Sequence, residues 1–65
     1  MAMINGKEIQ LPQGTTVEQY VQEKGYNMSF IAVERNGEIV KKKDYSKVVI
    51  NPDDKLEIVS FVGGG

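Results

Sequence analysis

The chain is small and nearly neutral, and it lacks the side chains most used in catalysis. Its 65 residues leave room for one domain, while a hydrophobic content of 40% and a formal net charge of −1 exclude the composition of disordered proteins and the strong positive charge of nucleic-acid-binding proteins. The absence of Cys and His removes the usual nucleophiles, general bases and soft-metal ligands, so we expect a folded protein that is not an enzyme and binds no metal.

Two short strands joined by a tight turn are predicted at the start of the chain. The segments Ala2-Met3-Ile4 and Lys7-Glu8-Ile9-Gln10-Leu11 flank Asn5-Gly6. Asn-Gly is the dipeptide that best tolerates the two positive φ angles of a type I′ hairpin turn. The alternation of Ile9 and Leu11 with polar residues is typical of a strand with one buried face.

An amphipathic helix is predicted next, over about Thr16 to Lys24. Thr15 and Glu18 have the spacing of a capping box, in which a threonine hydroxyl and a glutamate satisfy the first amides of the helix. Gly25 is placed to end the helix in the left-handed conformation. The helix carries one apolar stripe at helical spacing, formed by Val17, Tyr20 and Val21.

A second hairpin is predicted after the helix. Residues 30–35 are apolar in both phases of the pleat, which indicates an interior strand. Asn36-Gly37 repeats the hairpin signal and leads into the short strand Glu38-Ile39-Val40. The polar, lysine-rich residues 41–46 are interpreted as a loop.

The last part of the chain holds the longest predicted strand. Residues 48–50 are interpreted as a brief strand or extended segment, and residues 51–54 are rich in turn formers. The longest strand candidate follows at residues 55–62. The element order predicts an α+β fold, with a mixed sheet of four to five strands packed on one helix. We assign residues 1–62 to a single domain and residues 63–65 to a flexible C-terminal tail.

Three consecutive glycines, Gly63, Gly64 and Gly65, end the sequence. A segment without side chains is narrow enough to enter a channel and to present an α-carboxylate in the active site of another protein. Ordering such a segment costs much backbone entropy, so its shape is useful if a partner holds it. In an arbitrary protein, a disordered tail would be the commoner explanation of such an end.

The chain resembles the thiamine-pathway sulfur carrier proteins, a family of the ubiquitin-like β-grasp superfamily. The resemblance covers nearly the whole chain and rests on Ile4-Asn5-Gly6, on Val33-Glu34-Arg35-Asn36 and on the block from Leu56 to Gly65. The specific feature of the family is the terminal glycine pair, matched here by Gly64 and Gly65. The resemblance therefore implies a β-grasp fold.

The resemblance also implies that the protein is a cosubstrate of other enzymes. An ATP-dependent adenylating enzyme would activate the carboxylate of Gly65, and a cysteine desulfurase or other sulfur donor would convert the transient acyl-adenylate to a thiocarboxylate. Thiazole synthase would then receive the sulfur, while Gly64 and Gly63 supply reach. The carrier itself would bind no cofactor. The absence of Cys agrees with this scheme, because no persulfide can form on the chain.

Val59 and Phe61 are candidates for docking a partner protein. Strand alternation places them on the face of the last strand opposite Leu56 and Ile58, and they lie close in sequence to Gly65. The alternative is that Phe61 packs under a loop.

Other clusters of polar or aromatic residues have structural explanations. The lysine run 41–43 is interpreted as a solvated loop or a guarded sheet edge. The spacing of Asp44, Asp53 and Asp54 does not match a calcium loop and fits turns instead. Core packing is predicted for the aromatic residues Tyr20, Tyr26, Tyr45 and Phe30.

Two alternative functions stay open at this point. A molybdopterin-pathway carrier would use the same tail and deliver sulfur to a different synthase. A ubiquitin-like modifier would join the activated Gly65 to a target lysine through an isopeptide bond. Conjugation would produce large adducts, whereas sulfur loading would change the mass only slightly.

Location and assembly are predicted from what the sequence lacks. Its apolar runs are far shorter than the roughly 20 residues that span a bilayer, and its first residues do not have the pattern of a signal peptide. We therefore expect a cytoplasmic monomer with neither membrane nor nucleic acid among its partners.

Overall fold

The computed structural model describes residues 1–61 of the chain. Within this range there are five strands, one α-helix and two short 3₁₀ helices, at Met28–Phe30 and Lys42–Asp44. The strands and the α-helix are β1 (Ala2–Ile4), β2 (Lys7–Ile9), α1 (Val17–Glu23), β3 (Ile31–Arg35), β4 (Glu38–Val40) and β5 (Lys55–Ser60). The predicted tail, residues 63–65, lies outside the described residues.

Residues 1–61 form one mixed sheet with the strand order β2-β1-β5-β3-β4. β5 runs parallel to β1 and antiparallel to β3, and each outer strand is the partner of its own hairpin. The prediction of a mixed sheet of four to five strands with one helix is confirmed. β3 is an interior strand as predicted, and β5 is the longest of these strands.

Both Asn-Gly turns have the backbone conformation that the sequence predicts. The φ angles are 52° and 81° at Asn5 and Gly6, and 53° and 87° at Asn36 and Gly37. Two consecutive positive φ angles are the signature of a type I′ turn, whose twist matches that of the strands it joins.

The capping box at the start of α1 lies one residue later than predicted. Thr16 is the N-cap, its hydroxyl oxygen accepts from the Gln19 N–H at 3.1 Å, and the Gln19 side chain accepts from the Thr16 N–H at 3.0 Å. Thr15 instead donates its hydroxyl hydrogen to the Pro12 carbonyl at 2.7 Å. Its own carbonyl accepts from the Ile50 N–H at 2.8 Å, which holds Thr15 in the preceding loop.

The end of α1 is closed by Gly25, as predicted. Gly25 has a φ of 82°. Its N–H donates to the Gln22 carbonyl at 3.0 Å, and the Tyr26 N–H donates to the Val21 carbonyl at 2.9 Å. These two bonds form a Schellman motif, which satisfies carbonyls that the helix end leaves free. The helix is one residue shorter at each end than the predicted Thr16 to Lys24.

Residues 48–50 form an extended segment beside the start of α1. The segment makes an isolated bridge between Val49 and Thr16, and the Val17 N–H donates to the Val48 carbonyl at 2.9 Å. It is therefore an anchor for the helix start and not a strand of the sheet.

The hydrophobic core lies between α1 and one face of the sheet. The buried apolar residues are Ala2, Ile4, Val17, Tyr20, Val21, Ile31, Val33, Tyr45, Ile50, Leu56 and Ile58. Tyr20 and Tyr45 are in the core as predicted, and Tyr26 packs against it. The prediction that Phe30 packs in the core is wrong, since its side chain is 48% exposed. Phe30 belongs to a 3₁₀ turn capped by Asn27 and precedes the first residue of β3.

No helix in the described part of the chain is long and apolar enough to cross a bilayer.

Candidate functional site

An exposed apolar corner lies where β5 ends. Val59 is 56% exposed, Phe61 54% and Phe30 48%, and the Phe61 N–H donates to the Phe30 carbonyl at 2.7 Å. This bond extends the β3–β5 pairing by one step, and strand alternation places Val59 on the same face as Phe61. The predicted exposure of Val59 and Phe61 is confirmed, since Phe61 does not pack under a loop. We call Phe30, Val59 and Phe61 the exit corner.

The exit corner belongs to the face of the sheet that points away from α1. In the β3–β5 register, Val59 pairs with Ala32 and Glu57 pairs with Glu34. Ile39, which is 63% exposed, pairs with Glu34 on the other side. Residues in register share a face, so the acidic row lies next to the apolar row of Val59 and Ala32, and Lys55, two residues before Glu57, lies on the same face.

Glu34 and Glu57 are a direct cross-strand pair of like charges on the open face. Such pairs destabilise a sheet because the two carboxylates repel each other. A cationic group of a docked protein would reduce this repulsion. The open face therefore combines the apolar contact area of the exit corner with one pair of acidic side chains.

The exit end of β5 is held on both sides. On one side β3 pairs with it as far as Ser60. On the other side, β1 ends at Ile4, and the side chain of Asn5 continues the pairing: its Nδ2 donates to the Ile58 carbonyl at 3.3 Å, and its Oδ1 accepts from the Ile58 N–H at 2.7 Å. Sequence reasoning found the turn at Asn5 but missed this role, because the bonded residue is 53 positions away.

The start of β5 is organised by Asp54, a carboxylate with only 7% of its side chain exposed. Asp54 accepts hydrogen bonds from Arg35 Nε at 2.9 Å, from Asn36 Nδ2 at 3.0 Å and from the Asn51 N–H at 2.8 Å. Burial by itself would raise the pKa of this carboxyl, but the hydrogen bonds from Asn51, Arg35 and Asn36 and the charge of Arg35 outweigh it, so the pKa is lowered. The sequence indicated a turn residue here and gave no signal of a buried ion pair.

The remaining predicted sites fall into two groups. Gly63, Gly64 and Gly65, the predicted acceptor and its access residues, lie outside the described residues. The lysine run 41–43 is exposed as predicted, and Lys42 Nζ donates to the Ser29 carbonyl at 3.2 Å.

Among residues 1–61, no group of three or more acidic, His or Cys side chains is placed to hold a metal ion.

The sequence matches one protein family almost from end to end. The family model of the ThiS family matches residues 2–65. The sulfur carrier protein ThiS of Bacillus subtilis is 36% identical over 66 aligned positions, which cover all of both chains.

A second kind of relative contains a similar segment within a larger protein. The thiazole synthase of Paramagnetospirillum magneticum is 49% identical over 63 residues, which are 97% of this chain and 19% of that protein. The thiazole synthase of Magnetococcus marinus is 39% identical over 62 residues, again 19% of its length. The chain thus spans about a fifth of these two relatives.

The fold agrees with solved structures of the same kind of protein. The crystal structure of a thiamine biosynthesis protein, ThiS, from Geobacter metallireducens superposes with a TM-score of 0.81, at 24% identity and over 98% of this chain and 97% of that one. At this identity the likeness establishes the β-grasp fold, and the sequence matches establish the family. By its fold and its sequence, the chain belongs to the ThiS family.

Proposed function

We propose that this chain is the sulfur carrier of thiamine biosynthesis and that it serves as a protein cosubstrate. The observation that carries the proposal is the match with the Bacillus subtilis sulfur carrier protein, which extends over the full length of both chains. The sequence, which lacks Cys and His, fits a protein on which other enzymes act.

The proposed reaction takes place at the carboxylate of Gly65. A carboxylate oxygen attacks the α-phosphorus of ATP on an adenylating enzyme, and pyrophosphate leaves. The terminal sulfur of a persulfide, carried by a cysteine desulfurase or another donor, then attacks the acyl carbon, and AMP leaves with the bonding electrons. A thiol of the donor system cleaves the resulting S–S bond, so that a disulfide forms on the donor and a thiocarboxylate remains on Gly65. We place these ATP-dependent steps in the cytoplasm.

Thiazole synthase is the proposed acceptor of the sulfur. The thiazole synthases of two bacteria include a segment similar to this chain. Linking a carrier to the enzyme that consumes its cargo raises the effective concentration of one at the other. The presence of a similar segment within these enzymes therefore supports the proposal that this chain, as a separate protein, binds a thiazole synthase.

Gly64 and Gly63 are proposed to provide the clearance that brings Gly65 into a partner's active site. Their lack of side chains lets the backbone pass through a narrow channel. The exit corner is proposed as the docking surface next to this tail, with Phe61 and Val59 as its main contacts.

The first experiment is intact-protein mass spectrometry of the 65-residue chain after incubation with ATP, the adenylating enzyme and a sulfur donor. Exchange of one oxygen for sulfur adds about 16 mass units, and peptide mapping should place the gain on the peptide that ends at Gly65. Large adducts on lysines of other proteins would instead support a ubiquitin-like modifier. Sulfur loading followed by transfer to molybdopterin synthase and not to thiazole synthase would overturn the pathway.

Two altered chains test whether the Gly65 carboxylate is the reactive group. Deletion of Gly65 moves the terminal carboxylate to Gly64 and so shortens the tail by one residue, whereas a chain prepared with a carboxyl-terminal amide at Gly65 keeps its length and lacks the carboxylate. Both should show no adenylation and no mass gain, with an unchanged melting temperature. Adenylation of the chain with the terminal amide would contradict the proposed mechanism.

The docking proposal is tested by placing a charge in the exit corner. Phe61→Asp and Val59→Asp should weaken binding of the adenylating enzyme by about tenfold or more, because burying a charge in an apolar contact is unfavourable and the loss of a central hot-spot contact costs about 2 kcal/mol or more. Thermal stability should change little, since both side chains are more than half exposed. Affinity can be measured by calorimetry with the enzyme.

A matched control for the docking test is Val49→Asp. Val49 is also an exposed valine, at 38%, but it lies beside the start of α1 and not on the open face. It should leave the affinity unchanged. Equal weakening by all three substitutions would contradict docking at the exit corner.

A further inference from the structure

The two Asn-Gly turns use their asparagine side chains at opposite ends of β5. Asn36 holds the start of the strand: its Oδ1 accepts from the Lys55 N–H at 2.9 Å, and its Nδ2 donates to Asp54. Asn5 holds the exit end through both backbone groups of Ile58. Each asparagine thus makes two side-chain hydrogen bonds, from a turn with nearly the same φ angle.

The Asn5 side chain takes the place of a strand residue. The last register pair of β1 and β5 is Ile4 with Leu56, and the Asn5 N–H donates to the Leu56 carbonyl at 2.9 Å. β1 then turns away at Asn5-Gly6. The side-chain amide of Asn5 offers one donor and one acceptor to Ile58, as the peptide group of a longer β1 would do.

This contact bears on the direction in which the chain leaves the sheet. Backbone groups of alternate residues in a strand point to the same edge, so the groups of Leu56, Ile58 and Ser60 all point toward β1. Asn5 satisfies those of Ile58, which is 7% exposed and anchors this part of β5 in the core. Without the side-chain amide of Asn5, the part of β5 from Ile58 onward would be held on one side only, by its pairing with β3.

We propose that Asn5 is a positioning residue for the activation of Gly65. By holding Ile58, it fixes the course of β5 up to Phe61 and thus the line along which the following residues reach a partner's active site. The inference rests on the proposed function, because it concerns how the carboxylate is presented for adenylation. Asn5 does not touch the reacting atoms and acts through Ile58.

The test compares Asn5→Gly with Asn36→Gly. Glycine keeps the positive φ angle of the turn, and each substitution removes two side-chain hydrogen bonds. Both variants should lose similar amounts of thermal stability. Adenylation is then measured by ATP–pyrophosphate exchange against carrier concentration, well below both melting temperatures.

Asn5→Gly should lower kcat on the order of tenfold at saturating carrier, since misplacement of a reacting group by a small distance has a large effect on rate. Asn36→Gly should keep the kcat of the unaltered chain. Amide hydrogen exchange should become faster at Ile58 in the first variant and at Lys55 in the second. If the two variants have equal kcat values although amide hydrogen exchange at Ile58 is faster in Asn5→Gly, Asn5 has a structural role only and the inference is overturned.

Asn5→Asp provides a second variant that keeps the turn and the acceptor for the Ile58 N–H while losing the donor to the Ile58 carbonyl. Its kcat should fall between those of the unaltered chain and Asn5→Gly, and an unchanged kcat would overturn the inference even if Asn5→Gly fails to fold. The unaltered chain is assayed in parallel. If the unaltered chain is not adenylated, the proposed function fails. If the unaltered chain and the Asn5 variants are adenylated at the same rate, only the role of Asn5 fails.

Discussion

Asp54 shows how one buried carboxylate can hold several segments together. It joins Arg35 at the end of β3, Asn36 in the following turn and Asn51 at the head of its own turn. Such a group stabilises the fold as long as it is ionised, because each of its partners donates a hydrogen bond to the carboxylate.

The lowered pKa of Asp54 makes the stability of the protein depend on pH in a definite direction. The ordinary pKa is 3.8 and the folded value lies below it, so in this range the unfolded chain binds more protons than the folded one. The contribution is fully present above pH 3.8 and is lost as the pH falls through the folded pKa. Asp54→Asn should therefore flatten the acid side of the stability profile, measured by urea unfolding between neutral pH and pH 3.

Asp53→Asn is the control for the pH experiment, because Asp53 is exposed in the same turn. At neutral pH, Asp54→Asn should cost about 1–3 kcal/mol, the usual penalty for disturbing a buried hydrogen-bonded group, while Asp53→Asn should cost much less. An equal acid dependence in both variants would mean that Asp54 does not carry the effect.

The sequence predicts backbone conformations at single residues better than it predicts their side-chain partners. The positive φ angles of Asn5 and Asn36 follow from the local dipeptide alone. The bonds of these asparagines to Ile58 and Lys55 depend on strands that are distant in sequence, and no local pattern signals them. Exposure of Val59 and Phe61 could be predicted because alternation along one strand is itself local.

At the scale of the elements, α1 is too short to be stable alone, so it depends on its caps and on the packing of its buried apolar stripe. It has seven residues, fewer than isolated helices need to be stable in water. Its first turn is held by the Thr16–Gln19 capping box and by the extended segment around Val49.

Thr16→Ala should destabilise the protein by about 1 kcal/mol, because the N–H of Gln19 loses its acceptor. Thr15→Ala should cost less, since the Thr15 hydroxyl bonds an exposed loop carbonyl and does not cap the helix. Thermal unfolding of the two variants measures the difference. A larger loss of stability for Thr15→Ala would show that Thr15 is the N-cap, as the spacing of Thr15 and Glu18 predicts.

Element types were predictable from sequence, and element limits were not. The helix stripe and both hairpins follow from periodicity and turn chemistry. The one-residue shift of the cap arises from competition between two adjacent threonines. Thr15 is held in the loop by a local bond to the Pro12 carbonyl and by a long-range bond from the Ile50 N–H, which leaves Thr16 as the cap. The 48–50 segment has strand-like composition but finds its partner at the helix start instead of the sheet.

At the scale of the whole molecule, β5 connects two hairpins that do not pair with each other in the described structure. β1 and β2 form one hairpin, β3 and β4 the other, and β5 lies between β1 and β3. Pattern analysis predicted the two hairpins and the long strand, but the parallel pairing of Met3 with Lys55 spans most of the chain. The residues alone did not predict the strand order, and the family resemblance implied only the β-grasp fold.

The central place of β5 has a consequence for biosynthesis. Ribosomes make the N-terminal part first, and an isolated hairpin is at best marginally stable in water. A chain that ends at residue 54 would hold two unjoined hairpins without a common core. The open face and the strand that leads toward Gly65 would then arise in the same late event. A partner enzyme that recognises the exit corner would therefore bind only carriers whose last strand is in place, and chains that lack this strand would be excluded at the docking step.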